Sequence, residues 1–206
     1  MPIIAENKGT VHVPVPMGNH IARCVEMIQI GTIVETTGIY AGKESHKVRL
    51  TWETPDETHD FGKGQQPFLI SKEFTLSMHE KATLRKALES WRGKAFTEDE
   101  AKAFDITVLI GKPCMLSIIH KTSKGGNIYA EVSSIATLPK GFTCPAQINP
   151  TKLLSFDGWD EATFEGLPDF LKQKIRSSKE YAAMVNPSRT EAAPSNGVES
   201  NDDLPF

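Results

Sequence analysis

Aromatic rings and basic side chains recur together along this chain. Tyr40 and Lys43 share a loop that carries Gly38 and Gly42, and Lys47 and Arg49 lie two residues apart in an alternating stretch that reaches Trp52. Phe61 and Lys63 fall in a polar, glycine-rich stretch, and Lys72 and Phe74 lie in the apolar stretch after it. His120, Lys121, Lys124 and Tyr129 bracket the turn that contains Gly125 and Gly126. Rings of this kind stack on flat faces, and the cations meet anionic oxygens. A ligand that offers both is single-stranded nucleic acid, with a continuous phosphate backbone and exposed bases. Each residue also has a plainer role. Trp52 shares its side with Val48 and Leu50, and Phe74 shares its side with Phe68 and Ile70, so both rings suit a core. Lys47 and Arg49 suit a solvated strand face, and Lys121 and Lys124 suit an ordinary turn. Tyr40, Phe61 and Tyr129 sit in loops or out of phase with apolar neighbours, which makes them the better stacking rings.

The last five residues carry a second chemistry. Asp202 and Asp203 precede Leu204, Pro205 and the terminal Phe206. Leu204 and the Phe206 ring can fill an apolar pocket while the carboxylates meet Lys or Arg at its rim. Pro205 limits the entropy lost on binding. The residues before them are rich in Ser, Pro, Asn, Ala and Glu without hydrophobic periodicity, which predicts a disordered tail over 187–206.

Catalytic patterns find little support. The chain has no phosphate-cradling glycine loop followed by Lys-Ser or Lys-Thr, no His-Glu-x-x-His and no Gly-x-Ser-x-Gly. The acidic group Glu98-Asp99-Glu100 stands where carboxylates favour a helix start. Cys24, Cys114 and Cys144 are odd in number and widely spaced, which argues against a disulfide framework or a zinc knuckle. His20 and Cys24 have a helical spacing but lie in a segment that reads as a strand. The expectation is a protein that is not an enzyme and uses no metal or cofactor.

Charge looks unfavourable for a nucleic-acid binder until it is divided. The net charge is −3. In residues 187–206, Glu191, Glu199, Asp202 and Asp203 face only Arg189, which leaves that segment at −3 and the rest of the chain at zero. A neutral body can hold a phosphate backbone only if its cations gather on one face. No apolar run approaches the ~20 residues that span a bilayer. The first fifteen residues lack the basic start and apolar stretch of a secretion signal, so a reducing cytoplasm is expected.

The elements that must position these residues follow from periodicity. Residues 1–18 read as an extended arm, with a short β segment over 10–15. A long β-branched stretch over 21–34, interrupted by Gly31, reads as a strand with a bend or bulge. Alternation marks a second strand over 46–53, residues 54–66 read as a long exposed loop, and a third strand covers 67–78. Leu84, Leu88 and Trp91 form one stripe of a helix over 79–91 that Gly93 stops. Thr97 with Glu100 forms a capping box for a short helix. Strands over 112–121 and 127–138 make a hairpin with a glycine-rich tip. After residue 141, a single helix is expected over 167–184.

Three strands, a helix and a two-strand hairpin form the element order of the OB-fold. That fold is a five-stranded Greek-key barrel with its helix between strands three and four, and it binds oligonucleotides across strands two and three and nearby loops. The expectation is a mainly β chain, with an OB-fold over 19–141, a helical extension over 142–186 and the tail. With its acidic ending, this arrangement resembles bacterial and phage single-stranded DNA-binding proteins, phage and prophage members above all. The resemblance implies a body that coats single-stranded DNA during replication, recombination and repair. It implies that Asp202, Asp203, Leu204, Pro205 and Phe206 recruit partner proteins; this tail has fewer acids than the usual bacterial tip, and Leu204 in place of the common Ile. A homo-oligomer is compatible with it. Two other readings share the same elements: a protein-interaction adaptor of a phage replication or recombination complex, and an RNA-binding or single-strand annealing protein.

Overall fold

A computed structural model describes residues 13–36, 38, 41–62 and 64–187. The first strand, β1 (Gly18–Val34), is long because it serves two cores. Ala22, Cys24 and Met27 point into one, and Ile28, Ile30 and Ile33 point into the other. Bulges between Cys24 and Glu26 and between Gln29 and Gly31 reset the alternation that this change of face requires. Gly31 sits at the second bulge with φ +92°, as the glycine break in the sequence predicts.

The remaining strands are β2 (Glu44–Asp60), β3 (Gln65–Thr75), β4 (Pro113–Thr122), β5 (Ile128–Ala136) and the short β6 (Lys152–Leu154). Their order across the sheet is β3-β2-β1-β4-β5, antiparallel throughout, with β6 added parallel to residues 26–28 of β1. The protein is therefore mainly β. The sheet does not close into the expected barrel. β3 and β5 approach each other without a backbone ladder, and the Lys72 ammonium donates across the gap to the Val132 carbonyl at 2.6 Å.

The larger core packs on one side of this sheet. Val48, Leu50 and Trp52 of β2 meet Phe68, Ile70 and Phe74 of β3. Helix α1 (Thr83–Arg92) caps them with Leu84, Leu88 and Trp91, and Gly93 ends it in the left-handed conformation. Trp52 and Trp91 lie 6.0 Å apart between ring centres. A short helix α2 (Glu98–Lys102) starts at the expected capping box, with reciprocal bonds between Thr97 and Glu100.

Two further expectations are corrected. Residues 54–66 are not a long loop: β2 runs on to Asp60, and a tight turn leads into β3, its Gly62 and Gly64 amides bound to the Asp60 carboxylate at 2.8 and 3.1 Å. The polar composition that suggested a loop belongs to the exposed end of a hairpin. The C-terminal segment is three short helices, α3 (Glu161–Glu165), α4 (Asp169–Arg176) and α5 (Lys179–Val185). The chain breaks between α4 and α5 because Ser178 turns to cap α5, accepting from the Tyr181 amide. Phe164, Leu167, Leu171 and Ile175 of this segment bury Ile28, Ile30 and Ile33, making the second core. Among the described residues no helix is long and apolar enough to cross a membrane.

Candidate nucleic-acid interface

The face of β2 that points away from the larger core carries Lys47, Arg49, Thr51 and Glu53. It is closed. Lys47 pairs with Glu35 at 2.5 Å, and the bond holds the Glu35 carboxyl below its usual range. Glu73 on β3 binds Arg49 at 3.6 Å and Lys174 of α4 at 2.5 Å. The Phe170 ring lies 5.4 Å from the Arg49 guanidinium. Thr51 is buried, its hydroxyl donating to Glu26 at 2.8 Å. Glu53 is fully buried and accepts from the Ile148 amide, the Asn149 amide and the Asn149 side chain at 2.8–2.9 Å. Residues 145–176 thus lie across much of the surface on which the expected site was drawn.

Two predicted stacking rings are withdrawn from any ligand. Trp52 has no exposed surface, and Phe74 is 3% exposed. Both follow their apolar neighbours into the core, as their phase allowed. Lys72 is half-buried beside Phe74, and burial pulls its ammonium below the usual lysine range despite the nearby Glu131 carboxylate. His120 donates to the Val15 carbonyl at 2.8 Å and anchors the N-terminal arm. Tyr40, Lys63 and the five terminal residues lie outside the described residues.

Two of the remaining candidates come together elsewhere. Phe61, at the β2–β3 turn, is half-exposed, and Tyr129, on β5, is 40% exposed. These two rings come from different hairpins yet line one cleft of about 460 Å³. The cleft follows residues 66–71 along the unpaired edge of β3. Its walls include Leu69, Arg49 and Asn149, and residues 13–15 of the arm line it too. Phe61 is steadied by a ring cluster, edge-on to His59 at 5.0 Å and to Phe68 at 5.4 Å. Lys121, on the strand opposite Tyr129, pairs with Glu131 at 2.9 Å, and that bond raises its ammonium's pKa. Lys124 stands exposed at the hairpin tip, and Lys43 is exposed in the β1–β2 loop.

Leu69 was missed by the site reading, although the sequence carries a signal for it: it is apolar and out of phase with Phe68 and Ile70, so it must face outward. Glu53, Asn149 and Phe170 had no such signal, because their contacts span 95 residues or more along the chain. A larger hollow of about 780 Å³ lies between the end of β3 and α2, beside Arg85. Arg85 is already committed there to Glu89, Glu98 and the carbonyls of Met78 and Phe96. The thiols of Cys24 and Cys114 are buried, and burial pushes Cys24 up to about 12. Neither is a reactive group at neutral pH. No protein-family model matches the chain, and no curated protein is similar to it.

Proposed function

We infer that this protein binds single-stranded DNA without regard to sequence, through a body that is an open variant of the OB-fold. It would protect transient single strands during replication, recombination and repair. The terminal Asp202, Asp203, Leu204, Pro205 and Phe206 would recruit partner proteins to them. The observation that carries the reading is the strand order β3-β2-β1-β4-β5 with α1 between β3 and β4. That order, with β1 central and a helix after the third strand, supports reading the body as an open relative of the OB-fold. Exposed rings on two hairpins, with lysines beside one of them, supply the chemistry such a ligand needs. The neutral body predicts moderate affinity carried by stacking, with few phosphates neutralised.

The test is a fluorescence anisotropy titration of labelled dT oligonucleotides of several lengths, at two salt concentrations, with duplex DNA as control. Length-dependent binding to the single strand alone is expected. Log affinity should fall against log salt with a slope near −0.7 per phosphate neutralised. Failure to bind dT at low salt would overturn the reading.

A further inference from the structure

We propose that the DNA strand runs in the cleft along the free edge of β3, between the tips of the β2–β3 and β4–β5 hairpins, and not across the outer face of β2 and β3. This path rests on the reading of the body as a single-strand binder and assigns it a site. The outer face, the natural platform of a sheet with this strand order, is already occupied. Glu53 is buried beneath Asn149, the Glu73 carboxylate is shared by Arg49 and Lys174, and Phe170 lies near Arg49. A strand laid there would have to displace Asn149 and α4, which carries Phe170 and Lys174 and is tied to the second core by Leu171 and Ile175.

The edge cleft has the opposite character. Phe61, Leu69 and Tyr129 remain 40–51% exposed around it. Rings on the two hairpins can take successive bases, and Arg49 also lines the cleft. Lys124 at the adjoining hairpin tip gives the backbone a cation where the strand would leave. Pro67 has no amide to donate and weakens this edge as a template for another β-strand, which favours a ligand held by stacking over one held by backbone bonding.

The test compares wild-type protein with three variants, Tyr129→Ala, Leu69→Glu and Phe61→Ala/Tyr129→Ala. Lys47→Ala/Lys174→Ala probes the outer face. Each is titrated with labelled dT oligonucleotide after circular dichroism has established that it is folded. Tyr129→Ala and Leu69→Glu change exposed side chains, so the test survives if loss of Phe61 from its ring cluster unfolds the double variant. The expected result is a loss of about tenfold for Tyr129→Ala, a further loss when Phe61 is removed, and a severalfold loss for Leu69→Glu. The outer-face variant should match wild type within about twofold. Wild-type affinity in Tyr129→Ala and Leu69→Glu, or an equal loss in the outer-face variant, would overturn the path while leaving single-strand binding intact. If wild-type protein fails to bind dT at all, both readings fall together.

Discussion

At the scale of single residues, Gly31 shows how closely the C-terminal segment is fitted to the sheet. Its φ of +92° is one that residues with a side chain rarely adopt. A Cβ there would lie 2.7 Å from both the Ser178 Cβ and a Glu180 carboxylate oxygen. The backbone of β1 therefore approaches the start of α5 more closely than any side chain permits. Gly31→Ala should cost about 2–4 kcal/mol, from strain and overpacking together. The cost should fall on the second core, so trypsin should cleave near Arg176 and Lys179 faster than in wild type while the Trp52–Trp91 core persists. Equal cleavage rates would show that α5 tolerates the displacement. The glycine was legible in the sequence as a break in a β-branched run, but its partners were not. Ser178 and Glu180 lie almost 150 positions away, and no local pattern ties them to β1. Trp52 and Phe74 teach a related lesson: their phase placed them with core neighbours, and only their chemistry suggested stacking. Where the two signals conflict, burial of a large ring wins, since it stabilises by ~1.5–3 kcal/mol.

At the scale of elements, α5 is held to β1 by one carboxylate. Glu180 accepts from the Thr32 amide at 2.6 Å and from the Thr32 hydroxyl at 2.7 Å, and His46 lies 3.3 Å from it. Burial opposes the charge, but the Thr32 bonds outweigh it, and the carboxyl sits below its ordinary value of 4.5. A folded value below the unfolded one means that the carboxylate's contribution is fully present above about pH 4.5. It is lost as pH falls through the lower, folded value. Amide hydrogen exchange in α5 should therefore accelerate in wild type below pH 4.5, beyond the change seen in α1. In Glu180→Gln that extra acceleration should be absent, because α5 is already loosened at pH 7. An identical pH response in the two proteins would assign the acid sensitivity elsewhere. The capping box of α2 and the α1 stripe were readable because their signals lie within one or two helical turns. The length of β2 was not. Residues 54–60 are polar because they form the exposed end of a hairpin, and composition alone does not separate that from a loop.

At the scale of the whole molecule, the distribution of charge separates the body from residues 187–206. The body sums to zero and the terminal segment to −3, with Asp202, Asp203 and the α-carboxylate at its end. If the edge cleft holds phosphate as proposed, an anionic segment on the same chain competes with it whenever that segment reaches the cations there. That competition is electrostatic and weakens as salt screens it. The same segment, with Leu204 and Phe206 beside its carboxylates, has what an apolar pocket with a basic rim would recognise. Recruitment and competition are thus separable by one deletion. Removing residues 202–206 should tighten dT binding by no more than about tenfold at low salt and leave it unchanged at high salt. The slope of log affinity against log salt should become steeper, because the screened competitor is gone. Recruitment of a partner replication or recombination protein to coated DNA, read as a supershift in gel electrophoresis, should be abolished by the same deletion. Unchanged affinity at every salt concentration would remove the competition and leave the recruiting role standing. A supershift that survives the deletion would instead place the partner's contact on the folded body, where the 780 Å³ hollow beside Arg85 would be the first surface to mutate.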